Sequence, residues 1–240
     1  MLTRNLISLL MATFLWLPFG LWAQEQTEGE LEEVIVTAEY RPVSVLELPT
    51  SITVLDQQTI DRRGAVHLEQ LLNLAPNVNF SSGASRGRFI LIRGIGERSQ
   101  FVEPINPSVG LIIDGMDFTG IGGAASTLDI QQVEILRGPQ GTLFGANALA
   151  GLINMVSNGP HDELSGRVSL TAGNYGLISG AAAVGGRLSQ NAGFRLAVQS
   201  NQADGYIDNV FLGRASNDIN ELTARGKLDW DVNDNFSIGF

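Results

Sequence analysis

The chain has 240 residues, with 15 basic against 25 acidic side chains, a net charge of −10, no cysteine and two histidines. The acid excess argues against a nucleic-acid partner, which selects for a basic face. Without cysteine there is no disulfide framework, and with His67 and His161 far apart no zinc-type ligand set is expected.

The N-terminus has the order of a secretory signal. Arg4 is its only charge, residues 6–19 are apolar, and small Ala23 precedes polar Gln24. The apolar stretch is shorter than the roughly 20 residues of a membrane-spanning helix, so residues 1–23 read as a signal peptide rather than an uncleaved anchor. No second hydrophobic helix follows, and residence in a membrane would therefore require a β-barrel. Residues 24–42 carry a β-branched run, Val34-Ile35-Val36-Thr37, flanked by acids and closed by Arg41-Pro42. Such a run suits an edge strand or a segment that adds as a strand to a partner's sheet.

Residues 43–160 read as one small α+β globule, long enough for a single core. Residues 51–55 are strand-like, and Asp56 is placed to cap a short helix through Asp61. Leu68, Leu71 and Leu72 lie at helical spacing between residues 65 and 74, before Pro76. Residues 89–92, 111–113 and 133–136 are apolar runs expected as strands, each closed by Arg-Gly or Asp-Gly.

Within residues 161–240, read as the first strands of a barrel, strict alternation begins at Ser165. Leu222, Ala224, Gly226, Leu228, Trp230 and Val232 mark one face; Glu221, Thr223, Arg225, Lys227, Asp229 and Asp231 mark the other. Val168 and Leu170 alternate with Arg167 and Ser169 in the same way, as do Phe194, Leu196 and Val198 with Arg195, Ala197 and Gln199. A soluble sheet with one wet face fits this pattern. Strand lengths near 9–11 residues, short connections at 189–193 and 232–235 against a long one at 204–217, and Trp230 near a strand end favour a membrane barrel. Four strands and the start of a fifth fit before residue 240, fewer than a closed barrel contains.

The run ILRGPQGTLFGANALAGLIN at 135–154 is glycine-rich after a strand, the setting of many phosphate loops. Its spacing matches neither the P-loop nor the dinucleotide fingerprint, and Lys227 is the only lysine in the chain. Gly94-Ile95-Gly96 lacks a third glycine, Ser99 standing in its place. No G-x-S-x-G elbow or other catalytic constellation is present, and an enzyme is not expected.

The same run, from Val133 through Arg137-Gly138-Pro139-Gln140-Gly141 and Gly145 to Ala150-Gly151-Leu152-Ile153-Asn154, resembles the end of the plug domain of TonB-dependent outer-membrane receptors. Arg93-Gly94-Ile95-Gly96, Pro107-Ser108-Val109-Gly110 with Ile113-Asp114-Gly115, and Glu33-Val34-Ile35-Val36-Thr37-Ala38 resemble further motifs of that family, in family order. The resemblance implies an α+β plug domain followed by the first antiparallel strands of a transmembrane β-barrel, incomplete in this chain. It implies active uptake of a scarce solute (siderophore-iron, a vitamin or a carbohydrate) across the bacterial outer membrane, with the plug gating the barrel. The implied partners are the periplasmic domain of TonB, bound by Glu33, Val34, Ile35, Val36, Thr37 and Ala38, outer-membrane lipid, and a transported ligand such as a ferric siderophore; no cofactor is implied. Arg93 and Arg137 are implied to latch the plug to wall carboxylates, a task suited to a planar, bidentate guanidinium. Gly94, Gly96, Gly138, Gly141, Gly145 and Gly151 are expected where backbone turns tightly or lies against backbone in a filled lumen. A stand-alone periplasmic binding or adaptor module built from a plug is the alternative, and it would require the alternating strands to form a soluble sheet.

Overall fold

The apolar runs at 51–55, 111–113 and 133–136 pair into one mixed sheet, the run at 89–92 into a small separate one, and the alternating segments of the second half into another. A computed structural model describes residues 34–37, 42–82, 87, 89–97, 107–121, 125–233 and 236–240. The expected signal segment, with Glu33 and Ala38, lies outside the described residues.

β1 (Ile35–Val36) pairs antiparallel with β2 (Val43–Ser44). β3 (Ile52–Asp56) leads directly into helix α1 (Gln57–Arg63). Asp56 caps it by accepting from the Thr59 amide at 2.9 Å, and Gly64 ends it in the left-handed region at φ 61°. The helix runs two residues past the expected Asp61. Residues 68–74 depart from expectation, forming two 3-10 turns, Leu68–Gln70 and Leu72–Leu74, instead of one α-helix. The Gln70 side-chain oxygen accepts from the Val66 and His67 amides at 2.7 and 3.1 Å, tightening the entry, and Pro76 leaves no room for a longer helix.

β4 (Val78–Ser81), β5 (Phe89–Ile92) and β6 (Ile95–Gly96) form a small antiparallel meander. β7 (Val109–Ile113), β8 (Met116–Asp117), β9 (Ile130–Arg137), the single turn α2 (Gly141–Phe144) and β10 (Gly151–Ser157) complete the first half. The main sheet has order β3-β9-β10-β7-β8; β10 runs parallel to β7, and its other pairs are antiparallel. One face buries Leu55, Ile60, Leu71, Ile92, Val133, Ile135, Ile153 and Met155. The other buries a smaller group, Ile112, Leu136, Ala148 and Leu152. Full burial of each large aliphatic contributes about 1.5–3 kcal/mol.

Glycine secures this packing most plainly at two places. A Cβ on Gly151 would collide with the Leu136 carbonyl and the tip of Ile92, and one on Gly96 (φ 149°) with the Ile90 carbonyl. Gly94, Gly138 and Gly145 have positive φ in open space, whereas Gly141 has neither a positive φ nor a close neighbour.

The second sheet contains β11 (Ser165–Ala172), β12 (Ile178–Ser189), β13 (Ala192–Ala203), β16 (Ile219–Asn233) and β17 (Phe236–Gly239), in that order and antiparallel throughout. β14 (Ile207–Asn209) and β15 (Arg214–Ser216) make a hairpin inside the long connection. The sheet is open, with β11 and β17 as its edges. Its register sorts side chains as the alternation requires. Val168, Ala182, Val198 and Ala224 form a cross-strand row on one face, and Arg167, Ala183, Ala197 and Arg225 form one on the other. The apolar face is bare: Val168, Leu170 and Leu222 are 76, 83 and 77 % exposed. The polar face lies against the first sheet's turns.

Candidate functional site

The segment at 34–37 lies over the smaller apolar face of the main sheet, with Val36 buried. Its backbone groups are largely engaged. The Val34 carbonyl accepts from the Val45 amide at 3.0 Å, and the Ile35 carbonyl from Gln132 Nε2 at 3.0 Å. The Thr37 amide and hydroxyl both donate to Glu134 Oε1, at 2.8 and 3.2 Å. Glu134 itself is fully buried in β9, opposite Asn154 of β10. Its Oε1 also accepts from Gln132 Nε2 at 2.6 Å, and its Oε2 from Asn154 Nδ2 at 2.9 Å. Among the described residues no cation pairs with it; hydrogen bonds alone satisfy it, as a buried acid requires.

A second set of contacts joins the two sheets. Arg195 of β13 grips Asp129 with Nε and Nη2, both at 2.7 Å, and the two side chains are only 8 and 4 % exposed. Asp129 also accepts from Asn158 Nδ2 at 3.0 Å. Asp114, in the turn after β7, accepts from the Ser157 amide and hydroxyl at 2.9 and 2.7 Å and faces Lys227 at 3.4 Å and Arg225 at 3.6 Å. Burial would raise the Asp114 carboxyl, but the Ser157 hydrogen bonds and the charges of Lys227 and Arg225 outweigh it and hold the group below the usual carboxylate range. Arg225 donates to the Ser126 carbonyl at 3.3 Å, and Arg167 meets Asp61 at 2.7 Å nearer the surface. Asp114 and Asp129 both hold positive φ, 48° and 54°, a conformation that aspartate tolerates better than most residues.

The Arg93 backbone and the Arg137 side chain both reach another place, the turn at 76–77. The Arg93 amide donates to the Asn77 carbonyl at 2.8 Å, and Arg137 Nη1 to the Pro76 carbonyl at 3.2 Å. Among the described residues Arg137 Nε is buried without an acceptor, and neither arginine meets a carboxylate. The clasp between the sheets is a separate contact, with acids on the first half and cations on the strands. The sequence carried half of that signal: Arg167, Arg195, Arg225 and Lys227 all fall on the polar face of the alternation. Their partners were missed because they lie 66 to 113 residues away, that of Arg167 on α1. Glu134 was missed because an acid inside an apolar run gives no hint of what surrounds it. Among the described residues no cluster of metal-binding side chains occurs.

Residues 44–152 match the family model of the TonB-dependent receptor plug domain. Over 206 residues the chain is 27 % identical to the ferrioxamine B receptor of Salmonella typhimurium, covering 80 % of this chain and 28 % of that receptor. Over 178 residues it is 29 % identical to the vitamin B12 transporter BtuB of Vibrio vulnificus, covering 71 % of this chain and 28 % of the transporter. Among solved structures, the pyoverdine outer membrane receptor FpvA of Pseudomonas aeruginosa superposes with a TM-score of 0.69 at 21 % identity, covering 85 % of this chain and 29 % of that one. The ferric yersiniabactin uptake receptor FyuA of Yersinia pestis gives 0.66 at 24 % identity, covering 75 and 29 %. The chain thus spans less than a third of the length of these relatives. Residues 44–152 are thus a plug domain of the TonB-dependent receptor family, clasped here to an open run of antiparallel strands, and most of the chain is similar to TonB-dependent outer-membrane receptors.

Proposed function

We propose that the protein serves TonB-dependent uptake of a scarce solute across the outer membrane, with residues 43–160 as the plug and residues 161–240 as the first strands of the surrounding barrel. Residues 1–23 export the chain, and the segment at 24–42 presents Glu33, Val34, Ile35, Val36, Thr37 and Ala38 to the periplasmic domain of TonB. The transported class is a ferric siderophore, the chemistry named for the ferrioxamine B, yersiniabactin and pyoverdine receptors among its relatives; cobalamin, named for another, is the competing class.

One observation carries the reading: a short β-branched strand, joined to its neighbour by only two residue pairs, sits ahead of a plug that is itself clasped to the wall by buried charges. A two-residue pairing is easily exchanged for a partner's strand, and strand addition draws its affinity from the backbone. The bare apolar face of β11, β12, β13 and β16 suits contact with membrane lipid. Arg137, whose buried Nε lacks an acceptor among the described residues, has a donor left for a carboxylate of the wall, and Arg93 is assigned the same latch role. The test is uptake of iron-55 presented on hydroxamate and catecholate siderophores, beside labelled cobalamin, in cells with and without TonB. Uptake of an iron complex that vanishes without TonB supports the reading; uptake indifferent to TonB overturns it.

A further inference from the structure

Between the main sheet and strands β16 and β17 lies a cavity of about 560 Å³. We propose that it is an inner station for the transported solute, holding a carboxylate of that solute between Arg225 and Lys227; this rests on the reading of the chain as an uptake receptor. Its position suits the role. Lys227 lies opposite Arg195, near the start of β13, and Thr37 also lines the cavity. The cavity therefore lies toward the short connection at 189–193, while the long one at 204–217 joins the other ends of the strands.

The charges there leave a place for an anion. Among the described residues, two carboxylates of the plug, Asp114 and Asp129, face three cations of the wall, Arg195, Arg225 and Lys227. Arg195 takes Asp129 with two bonds of 2.7 Å, so Asp114 is the carboxylate left for Arg225 and Lys227. Its own short bonds come from Ser157, at 2.9 and 2.7 Å. Arg225 and Lys227 stand off at 3.6 and 3.4 Å, beyond the roughly 2.7–2.9 Å of a charge-assisted hydrogen bond. Of the Arg225 donors, Nη2 alone has an acceptor among the described residues, the Ser126 carbonyl at 3.3 Å. Lys227 reaches Ser157 Oγ at 3.3 Å. Donors and a positive charge thus remain for a monoanion, and the planar fork of Arg225 matches a carboxylate. The lining decides what that carboxylate is attached to. Ile112, Met116, Phe144, Val156 and Phe240 bring apolar surface up to the charged end. An inorganic ion would leave that surface against water, whereas an organic body covers it.

The test uses the intact receptor and para-bromobenzoate, a carboxylate on an apolar ring, with uncharged para-bromobenzamide as the control. Anomalous scattering from soaked crystals should place the bromine of the acid in this cavity and show none from the amide. In calorimetry, Lys227→Gln should weaken bromobenzoate binding at least about tenfold, the loss expected when a hydrogen bond to a charged group goes. Met116→Trp fills the cavity from an exposed position without touching an ion pair, and should weaken binding as much. It decides the matter if exchange of the Ser157 amide shows that Lys227→Gln has loosened the plug. Transport reads the role, with iron-55 presented on a hydroxamate bearing a free carboxylate and on its methyl ester. The ratio of acid to ester uptake should fall about tenfold in Lys227→Gln, and Met116→Trp should slow uptake of the acid complex. No bromine in the cavity, or uptake of the acid complex that is absent or equal in variants and wild type, overturns the station and leaves the uptake reading standing. Failure of every iron complex and of cobalamin to enter in a TonB-dependent way overturns that reading, and the station with it.

Discussion

Replacing Asp129 by asparagine tests the clasp between plug and wall at its most buried point. Asparagine keeps the side-chain shape and tolerates the left-handed backbone that Asp129 adopts at φ 54°, so the change removes a charge and little else. It leaves Arg195, only 8 % exposed, as an unpaired cation. Breaking a buried pair from one side costs about 3–5 kcal/mol. At about 1.4 kcal/mol per decade, local opening should become favoured by roughly two to nearly four decades. Hydrogen exchange of the Asn158 amide, which donates to the Asp129 carbonyl at 2.9 Å, reads that opening directly. Arg195→Met should cost a similar amount by stranding Asp129. The double variant should recover much of the loss, because no charge is left unpaired; that non-additivity is the signature of direct coupling. Acceleration below tenfold for Asp129→Asn, or two single effects that simply add in the double variant, would refute the assignment of the clasp.

Gly151→Ala should destabilise the plug by about 1–3 kcal/mol in urea unfolding, because its methyl would strike the Leu136 carbonyl; Gly141→Ala, in open space, should be neutral or slightly stabilising. The Asp114 carboxyl titrates below its ordinary value, so its contribution to stability is fully present above about pH 4 and is lost as pH falls through the lower folded value. Exchange of the Ser157 amide, bonded to Asp114, should therefore accelerate in strong acid and stay flat, after correction for intrinsic rates, between about pH 5 and 7. Val36→Pro removes a backbone donor and should abolish TonB binding both in the receptor and in a free peptide of residues 30–42, measured by calorimetry. Retained affinity in the peptide would show that strand addition is not the mode of contact.

The parts of the fold that were legible in the sequence share one property: burial imposed a simple period. β5, β7 and β9 sit inside the plug, so Phe89–Ile92 and Val109–Ile113 read as unbroken apolar runs. β16 has a bare apolar face and a face toward the plug, so Ile219–Asn233 alternates. β10 escaped because Gly151–Ser157 begins on the glycine that its neighbours demand, and it read as a continuation of the loop. The turns at 68–74 looked helical because leucines three and four apart serve a 3-10 turn against a core almost as well as an α-helix. Of the candidate site, the N-terminal segment and the cationic face of the strands were visible locally. Glu134 and the acids of the clasp were not, since only tertiary placement brings Thr37 to a side chain 97 positions away.

The edge position of β3 has a mechanical consequence. Its five residue pairs with β9 run antiparallel, from Ile52 opposite Leu136 to Asp56 opposite Gln132. A pull on the chain ahead of Ile52 loads those pairs differently according to which end of β9 is held. Anchored at Asp129, before the start of β9, the two strands are tugged from opposite ends, and all five pairs resist together in shear. Anchored at Arg137, the far end of β9, the tug and the hold act at the same end, and the pairs open in succession like a zipper. Whichever end of β9 is held thus sets whether β3 comes away under a small force or a large one.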